Sequence, residues 1–227
     1  MKTIVVIGGS KGIGNAIVNT LVETYKVINI SRTMPLPTHP NLTHNCCDVL
    51  VDELPEIETM DALIYCPGSI NLKPISRLSL EDFREDFEIN VIGAVKTIKK
   101  YLNTLKNGNS PSILLFSTVA SKLGMPYHAS IATAKSGIEG LVKSLGAELA
   151  PTIRINAIAP TVTNTELASK LLRNSQMIDN MVERHPLKKF LNPDEVASMA
   201  KFLISNEAAS MSGQIFEMDC GIVSFKI

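Results

Sequence analysis

Thr3-Ile4-Val5-Val6-Ile7-Gly8-Gly9-Ser10-Lys11-Gly12-Ile13-Gly14 decides how the rest of the chain is read. Five β-branched or apolar residues make a short strand that is buried on both faces. The glycines that follow let the backbone turn tightly, and an amphipathic helical pattern resumes over Ile13–Thr24. A strand, a glycine-rich turn and a helix in that order form a cradle for a pyrophosphate. Glycines permit close backbone approach, and the free amides of the helix N-terminus face the negative charge. Such glycines are also ordinary turn material; their place between a first strand and a helix is what points to a dinucleotide.

Working outward, short apolar runs alternate with longer stretches of helical period. Strand-like runs lie at Thr3–Ile7, Val27–Ile30, Leu63–Cys66, Ile113–Phe116, Arg154–Ile158 and Gln214–Met218, with a weaker one at Leu42–Cys46. Helical stretches lie at Leu80–Leu105, Ile131–Leu149, Glu166–Arg184 and Pro193–Ser205. Alternation of this kind predicts an α/β fold, a Rossmann-like doubly wound parallel sheet of about seven strands with helices on both faces. Asn192-Pro193-Asp194-Glu195 opens the last helix with a cap residue, a proline at the first helical position and acids on the positive end. Pro35, Pro37 and Pro40 forbid a regular helix after the second strand, so that crossover is expected as a Pro-rich loop.

The 227 residues, without repeat or linker, suit one domain over 1–227. An apolar share of 45% against 19% charged residues supplies a core and excludes a disordered chain. Lys+Arg and Asp+Glu both number 22, so no net field draws the protein to nucleic acid or to an anionic membrane. Cys46, Cys47, Cys66 and Cys220 lack the spacing of a zinc or redox site, which predicts reduced thiols and no metal centre. The opening apolar run is too short for a signal peptide or a membrane span; a cytoplasmic protein is expected.

At the end of the second strand stands Ser31-Arg32-Thr33, where an acid would be needed to grip the ribose 2′-hydroxyl of NAD. Arg32 can fork onto a 2′-phosphate, and Lys11 adds a second positive charge on the same side, so NADP(H) is the expected cofactor. The plainer alternative makes both solvated surface charges.

These residues give the chain its resemblance to the short-chain dehydrogenase/reductase family. Gly8-x-x-x-Gly12-x-Gly14 has that family's glycine spacing. Asp48-Val49 is similar to its adenine-contacting pair, Gly68 ends a segment in the place of its Asn-Asn-Ala-Gly, and Asn90-Val91-Ile92-Gly93 matches its central-helix asparagine. Ala134–Leu141, Arg154–Pro160 and Asp219-Cys220-Gly221 follow in the family's order. The resemblance implies hydride transfer between nicotinamide and a carbonyl or alcohol. Cofactor contacts are implied from Gly8, Ser10, Lys11, Gly12, Ile13, Gly14, Ser31, Arg32, Thr33, Asp48, Val49, Pro67, Gly68, Lys135, Pro160, Thr163 and Thr165. It also implies a small-molecule substrate, a covering segment at about 161–190, and a homodimer or homotetramer formed through the two long central helices.

In the family a Tyr-x-x-x-Lys pair moves the proton. Here the lysine is Lys135, but Ile131 stands four positions before it and cannot exchange a proton. The family's serine position falls on Thr118, whose hydroxyl can still bond a substrate oxygen. Tyr65-Cys66-Pro67 replaces Asn-Asn-Ala, Thr161 follows Pro160 where the family has glycine, and Cys220 replaces a glycine. Asn90, Thr118 and Lys135 remain as catalytic candidates. Tyr127 or His128 can serve as the relocated acid; alternatively Tyr127 packs or contacts substrate and His128 is solvated. Cys66 reads as an apolar filler, and Glu183 and His185 before Pro186 as the hinge of the covering segment. Leu171, Leu172, Met177, Ile178 and Met181 predict an apolar, adaptable pocket wall. Two functions stay open: an NADP(H)-dependent oxidoreductase with a non-standard proton donor, or an NADP(H)-binding protein with little redox activity.

Overall fold

A computed structural model describes residues 1–225. Seven parallel strands, β1 (Thr3–Ile7), β2 (Lys26–Ser31), β3 (Leu42–Cys46), β4 (Ala62–Tyr65), β5 (Ser112–Phe116), β6 (Arg154–Pro160) and β7 (Ile215–Met218), form one sheet in the order β3-β2-β1-β4-β5-β6-β7. Every residue of β1 and β5 is buried, as expected of strands covered on both faces, whereas edge strand β3 carries Thr43, His44 and Asn45 and is half-exposed.

Helices α1 (Gly12–Leu21), α2 (Leu80–Phe87), α3 (Gly93–Lys106), α4 (Ala129–Leu149), α5 (Ser175–Arg184) and α6 (Pro193–Ile204) complete the architecture. Strand alternation sorts the core into two layers. Val5, Ile7, Leu63, Leu115 and Ile155 pack with Ala94, Ile98 and Leu105 of α3 and Ile138 and Val142 of α4. Ile4, Val6, Ile64 and Leu114 pack on the other face with Ile17, Val18 and Leu21 of α1 and Val196, Ala200 and Leu203 of α6. Because the chain leaves β1 toward β2 and later returns to β4 on its other side, a crevice opens at the carboxyl ends of β1 and β4.

Three expectations need correction. The helix predicted over Leu80–Leu105 is interrupted by a π-helical turn at Glu88–Ile92. Its apolar pattern continues across the break, which hides it from periodicity. The helix predicted over Glu166–Arg184 is a short 3₁₀ turn at Glu166–Ala168 followed by α5, because the Asn174 side chain accepts from the Met177 amide and starts a new helix there. The first helix stops at Leu21, whose carbonyl accepts from the Thr24 and Tyr25 amides. The Pro-rich crossover between β2 and β3 carries no helix, as expected. Among the described residues no helix is long and apolar enough to cross a membrane.

Candidate active site

The glycine loop joins β1 to α1 with Gly8 (φ +75°) and Gly12 (φ +51°) in the left-handed region, where a side chain is strained. A Cβ on Gly14 would run into the Gly8 carbonyl oxygen, so the third glycine is fixed by close packing of loop and helix. Lys11, at the N-cap, is extended and places no side-chain oxygen on the first amides of α1. The Gly9 amide donates to Asn29 Oδ1 at 2.8 Å, Asn29 Nδ2 donates to Ser31 Oγ at 2.7 Å, and Ser31 Oγ donates to the Thr33 carbonyl at 2.8 Å. That chain of bonds ties the glycine loop to the end of β2.

Above it lies a cavity of about 530 Å³, lined by Gly8, Ser10, Lys11, Gly12, Ile13, Gly14, Ser31, Arg32, Asp48, Val49, Pro67, Gly68 and Thr165, and also by Ile89, Glu166 and Leu167. Its volume suits a ligand of several hundred daltons, and its uncapped helix start suits a pyrophosphate. A nicotinamide dinucleotide fits this cradle. Arg32 is 79% exposed and lies 3.8 Å from Asp48 Oδ2, a loose pair that leaves the guanidinium free to turn to a phosphate. Lys11 Nζ bonds Glu166 Oε2 at 3.0 Å and links the glycine loop to the 3₁₀ turn at Glu166–Ala168. Thr33 does not line the cavity; it contributes only the carbonyl held by Ser31.

A second cavity of about 190 Å³ continues from the first, sharing Ile13, Cys66, Gly68, Thr165 and Leu167. Thr118, His128, Ile131, Lys135, Pro160, Thr161 and Thr163 stand in its wall. Lys135 Nζ donates to the Phe116 carbonyl at 2.9 Å. Burial pulls the Lys135 ammonium down to about 8, against the opposing pull of Cys66 and Asp86, while burial pushes the Cys66 thiol up to about 12. Cys66 is therefore a neutral wall residue. Ile131 is 5% exposed and carries no exchangeable proton.

Asn90 lies behind this wall, in the π-helical turn. Its Nδ2 donates to the Asp86 carbonyl at 2.7 Å and to Ser69 Oγ at 3.2 Å, while its buried Oδ1 has no partner among the described residues. A Cβ added to Gly68 would sit 3.2 Å from Asn90 Oδ1 and 3.5 Å from Lys135 Nζ, so the two polar groups flank this glycine. The Tyr65 hydroxyl donates to the Ile89 carbonyl at 2.7 Å and secures the widened turn; burial raises the Tyr65 pKa.

Tyr127 is a correction. It is 59% exposed at φ +68° and does not line the cavity, because the left-handed turn swings it outward. His128 does line it, with Nδ1 held 2.7 Å from the Pro126 carbonyl. Of the predicted apolar wall only Leu171 lines the cavity, joined by Leu167 and Ala168; Leu172, before α5, and Met177, Ile178 and Met181, on α5, do not line it. Two features escaped the sequence. Fully buried Asp86 accepts from Ser69 Oγ, Asn71 Nδ2 (3.1 Å) and Ser130 Oγ (2.6 Å), and its spacing of four from Asn90 on one helix face was a usable signal. Thr161 bonds His185, and no sequence signal joins two residues so far apart. The cysteines are all free: Cys46 is exposed, Cys47 and Cys220 are buried, and Cys66 is half-buried.

Residues 44–223 match a family model described as enoyl-(acyl carrier protein) reductase. The chain is 27% identical to 2,5-dichloro-2,5-cyclohexadiene-1,4-diol dehydrogenase of Sphingobium indicum, over 98% of this chain and 97% of that protein. It is also 27% identical to carbonyl reductase [NADPH] 2 of Sus scrofa, over 96% and 95%. Among solved structures, ligand-free aldohexose dehydrogenase of Thermoplasma acidophilum superposes with a TM-score of 0.90 at 26% identity, covering 99% of this chain and 95% of that one. A glycine loop at the sheet's switch point, a matched model over most of the length and relatives aligned end to end agree: the chain belongs to the short-chain dehydrogenase/reductase family of oxidoreductases.

Proposed function

We propose that this protein is an NADP(H)-dependent oxidoreductase that interconverts a carbonyl and an alcohol, using a proton donor other than the family's tyrosine. The observation that carries this reading is the pair of connected cavities, one with a pyrophosphate cradle and the exposed cations Lys11 and Arg32 at its rim, the other small, largely apolar and furnished with Lys135 and Thr118. When bound, the nicotinamide supplies or takes the hydride. The first-turn amides of α1 would hold the pyrophosphate, Arg32 and Lys11 the 2′-phosphate, and Lys135 the nicotinamide ribose, as its place beside Gly68 and the Phe116 carbonyl favours. Thr118 would orient the substrate oxygen. The relatives named as a diol dehydrogenase and an NADPH carbonyl reductase support this substrate class and, for the second, this cofactor. Assembly as a homodimer or homotetramer, which the family resemblance favours, would cover Leu80, Phe87 and Ile92, exposed on the central helices.

The test is NADPH oxidation by purified protein over a panel of ketones, aldehydes and quinones, beside calorimetric titration with NADPH and NADH. Turnover of at least one class is expected, with NADPH bound more tightly. Arg32→Ala should weaken NADPH by about 1.5–3 kcal/mol, the scale of hydrogen bonds to a charged group, and leave NADH nearly unchanged. Tight NADPH binding without any turnover would favour the binding-protein reading, for which buried Ile131 is the one specific observation.

A further inference from the structure

Without the tyrosine the smaller cavity holds Lys135, Thr118 and His128, whose Nδ1 is turned to the Pro126 carbonyl, while Tyr127 faces away. The same wall has gained a hydroxyl. Thr161 directly follows β6, in a place where the family carries glycine, and it is held there by its backbone N–H, which donates to the Met218 carbonyl at 2.9 Å. Its Oγ lies 2.7 Å from Nε2 of His185, which is wholly buried, and Nδ1 of the same ring lies 2.7 Å from the Met181 carbonyl.

Elementary hydrogen-bond chemistry fixes the tautomer. A carbonyl only accepts, so the proton of a neutral ring must sit on Nδ1. Nε2 then presents its lone pair, and the Thr161 hydroxyl donates to it. Oγ of Thr161 has no other hydrogen-bond partner among the described residues, which leaves its own lone pairs for a donor entering the cavity. His185 is the C-terminal cap of α5, and its ring is bonded to one of that helix's last carbonyls.

We propose that Thr161 and His185 form the proton relay of this site, with Thr161 the catalytic group that meets the substrate oxygen and His185 acting through it. The proposal rests on the oxidoreductase reading above. In the oxidative direction the alcohol O–H passes its proton to Thr161 Oγ, and the threonine's own proton moves to His185 Nε2. The C–H bond breaks with its electron pair going to the nicotinamide, so the alcohol carbon is oxidised to a carbonyl and the nicotinamide reduced. After product leaves, the imidazolium returns its extra proton through Thr161 to water in the cavity. Carbonyl reduction runs the same steps backward, beginning from the imidazolium.

Thr161→Val keeps the shape of the side chain and removes the hydroxyl. With para-nitrobenzaldehyde or menadione and NADPH, or D-glucose and NADP⁺, kcat should fall by about 10²–10⁴-fold while KM and NADPH affinity stay close to the parent's. Thr161→Ser should recover activity to within about tenfold of the parent, because its hydroxyl can still reach Nε2. If valine is not tolerated, as loss of NADPH binding would show, Thr161→Gly restores the family's residue and is judged by the same criteria. Nitrogen NMR of His185 gives a readout apart from turnover: a neutral ring should carry its proton on Nδ1, and the Nε2 resonance should shift in Thr161→Val. An unchanged kcat in the valine or glycine variant, an unchanged Nε2 resonance, or a bare Nδ1 overturns the relay and leaves the oxidoreductase reading standing. A parent that binds NADPH but turns over none of these probes overturns both.

Discussion

The larger cavity takes its phosphate cradle from backbone geometry, whereas the smaller one takes its chemical character from side chains. Around the first, Gly8, Gly12 and Gly14 set a path that other residues cannot follow, and Asn29 and Ser31 fasten it to β2. Around the second, Thr161 directly after β6 and Ile131 on α4 contribute side chains, where one can replace another without moving the main chain. Chemistry in the second region can therefore change in single steps while nucleotide binding in the first persists.

The most demanding test of that contrast is Asp86→Ala. This carboxylate anchors a buried polar network behind the smaller cavity, and its loss would take an acceptor from Ser69, Asn71 and Ser130. Urea denaturation should show a loss of about 3–5 kcal/mol, the sum for buried donors left unsatisfied at about 1–3 kcal/mol each. A loss below about 1 kcal/mol would mean that the network has slack and that the second region is even more replaceable than argued.

Next in size is Ile131→Tyr placed on the Thr161→Val background. Residues 131 and 135 lie one turn apart on α4, so a tyrosine hydroxyl would stand beside Lys135. Regained NADPH-dependent turnover of about 10²-fold or more is expected, reduced by the cost of placing a larger ring in a filled site. Failure to regain it, with NADPH still bound, would show that these side chains do not exchange one at a time.

The smallest effect concerns the boundary between the two regions. With its pKa lowered to about 8, Lys135 is an ammonium below that pH and a neutral amine above it. NADPH affinity should fall about tenfold as pH rises through 8, and Lys135→Met should abolish that dependence. Stability of the nucleotide-free protein should move the other way. The unfolded chain keeps its proton up to the ordinary lysine range, so between pH 8 and that range it binds more protons than the fold, and stability rises with pH. A flat profile in both measurements would place the ammonium in water.

The contrast also explains what was legible beforehand. The inner strands and the glycine loop could be read because burial on both faces and positive φ each demand particular residue types, while half-exposed edge strand β3 gave only a weaker signal. Ile131 was legible as a loss. Tyr127 was misplaced because one left-handed residue reverses the direction of a side chain, and composition carries no trace of that. His185 read as a hinge since its sequence neighbours, Glu183 and Pro186, are those of a loop; only tertiary packing buries it against Thr161.

The widened turn at Glu88–Ile92 has a consequence for how this helix can vary. Bonding five residues back in place of four accommodates an additional residue, and each residue rotates a helix by about 100°. Before the bulge, α2 directs Asp82 and Asp86 inward beside α4; after it, α3 directs Ala94, Ile98, Tyr101 and Leu105 onto the sheet. Removing a single residue between 88 and 92 would straighten the rod and throw these two faces out of phase, so that seating one would unseat the other. A one-residue deletion here should therefore be far harder to tolerate than any single replacement at the same positions, Asn90 included.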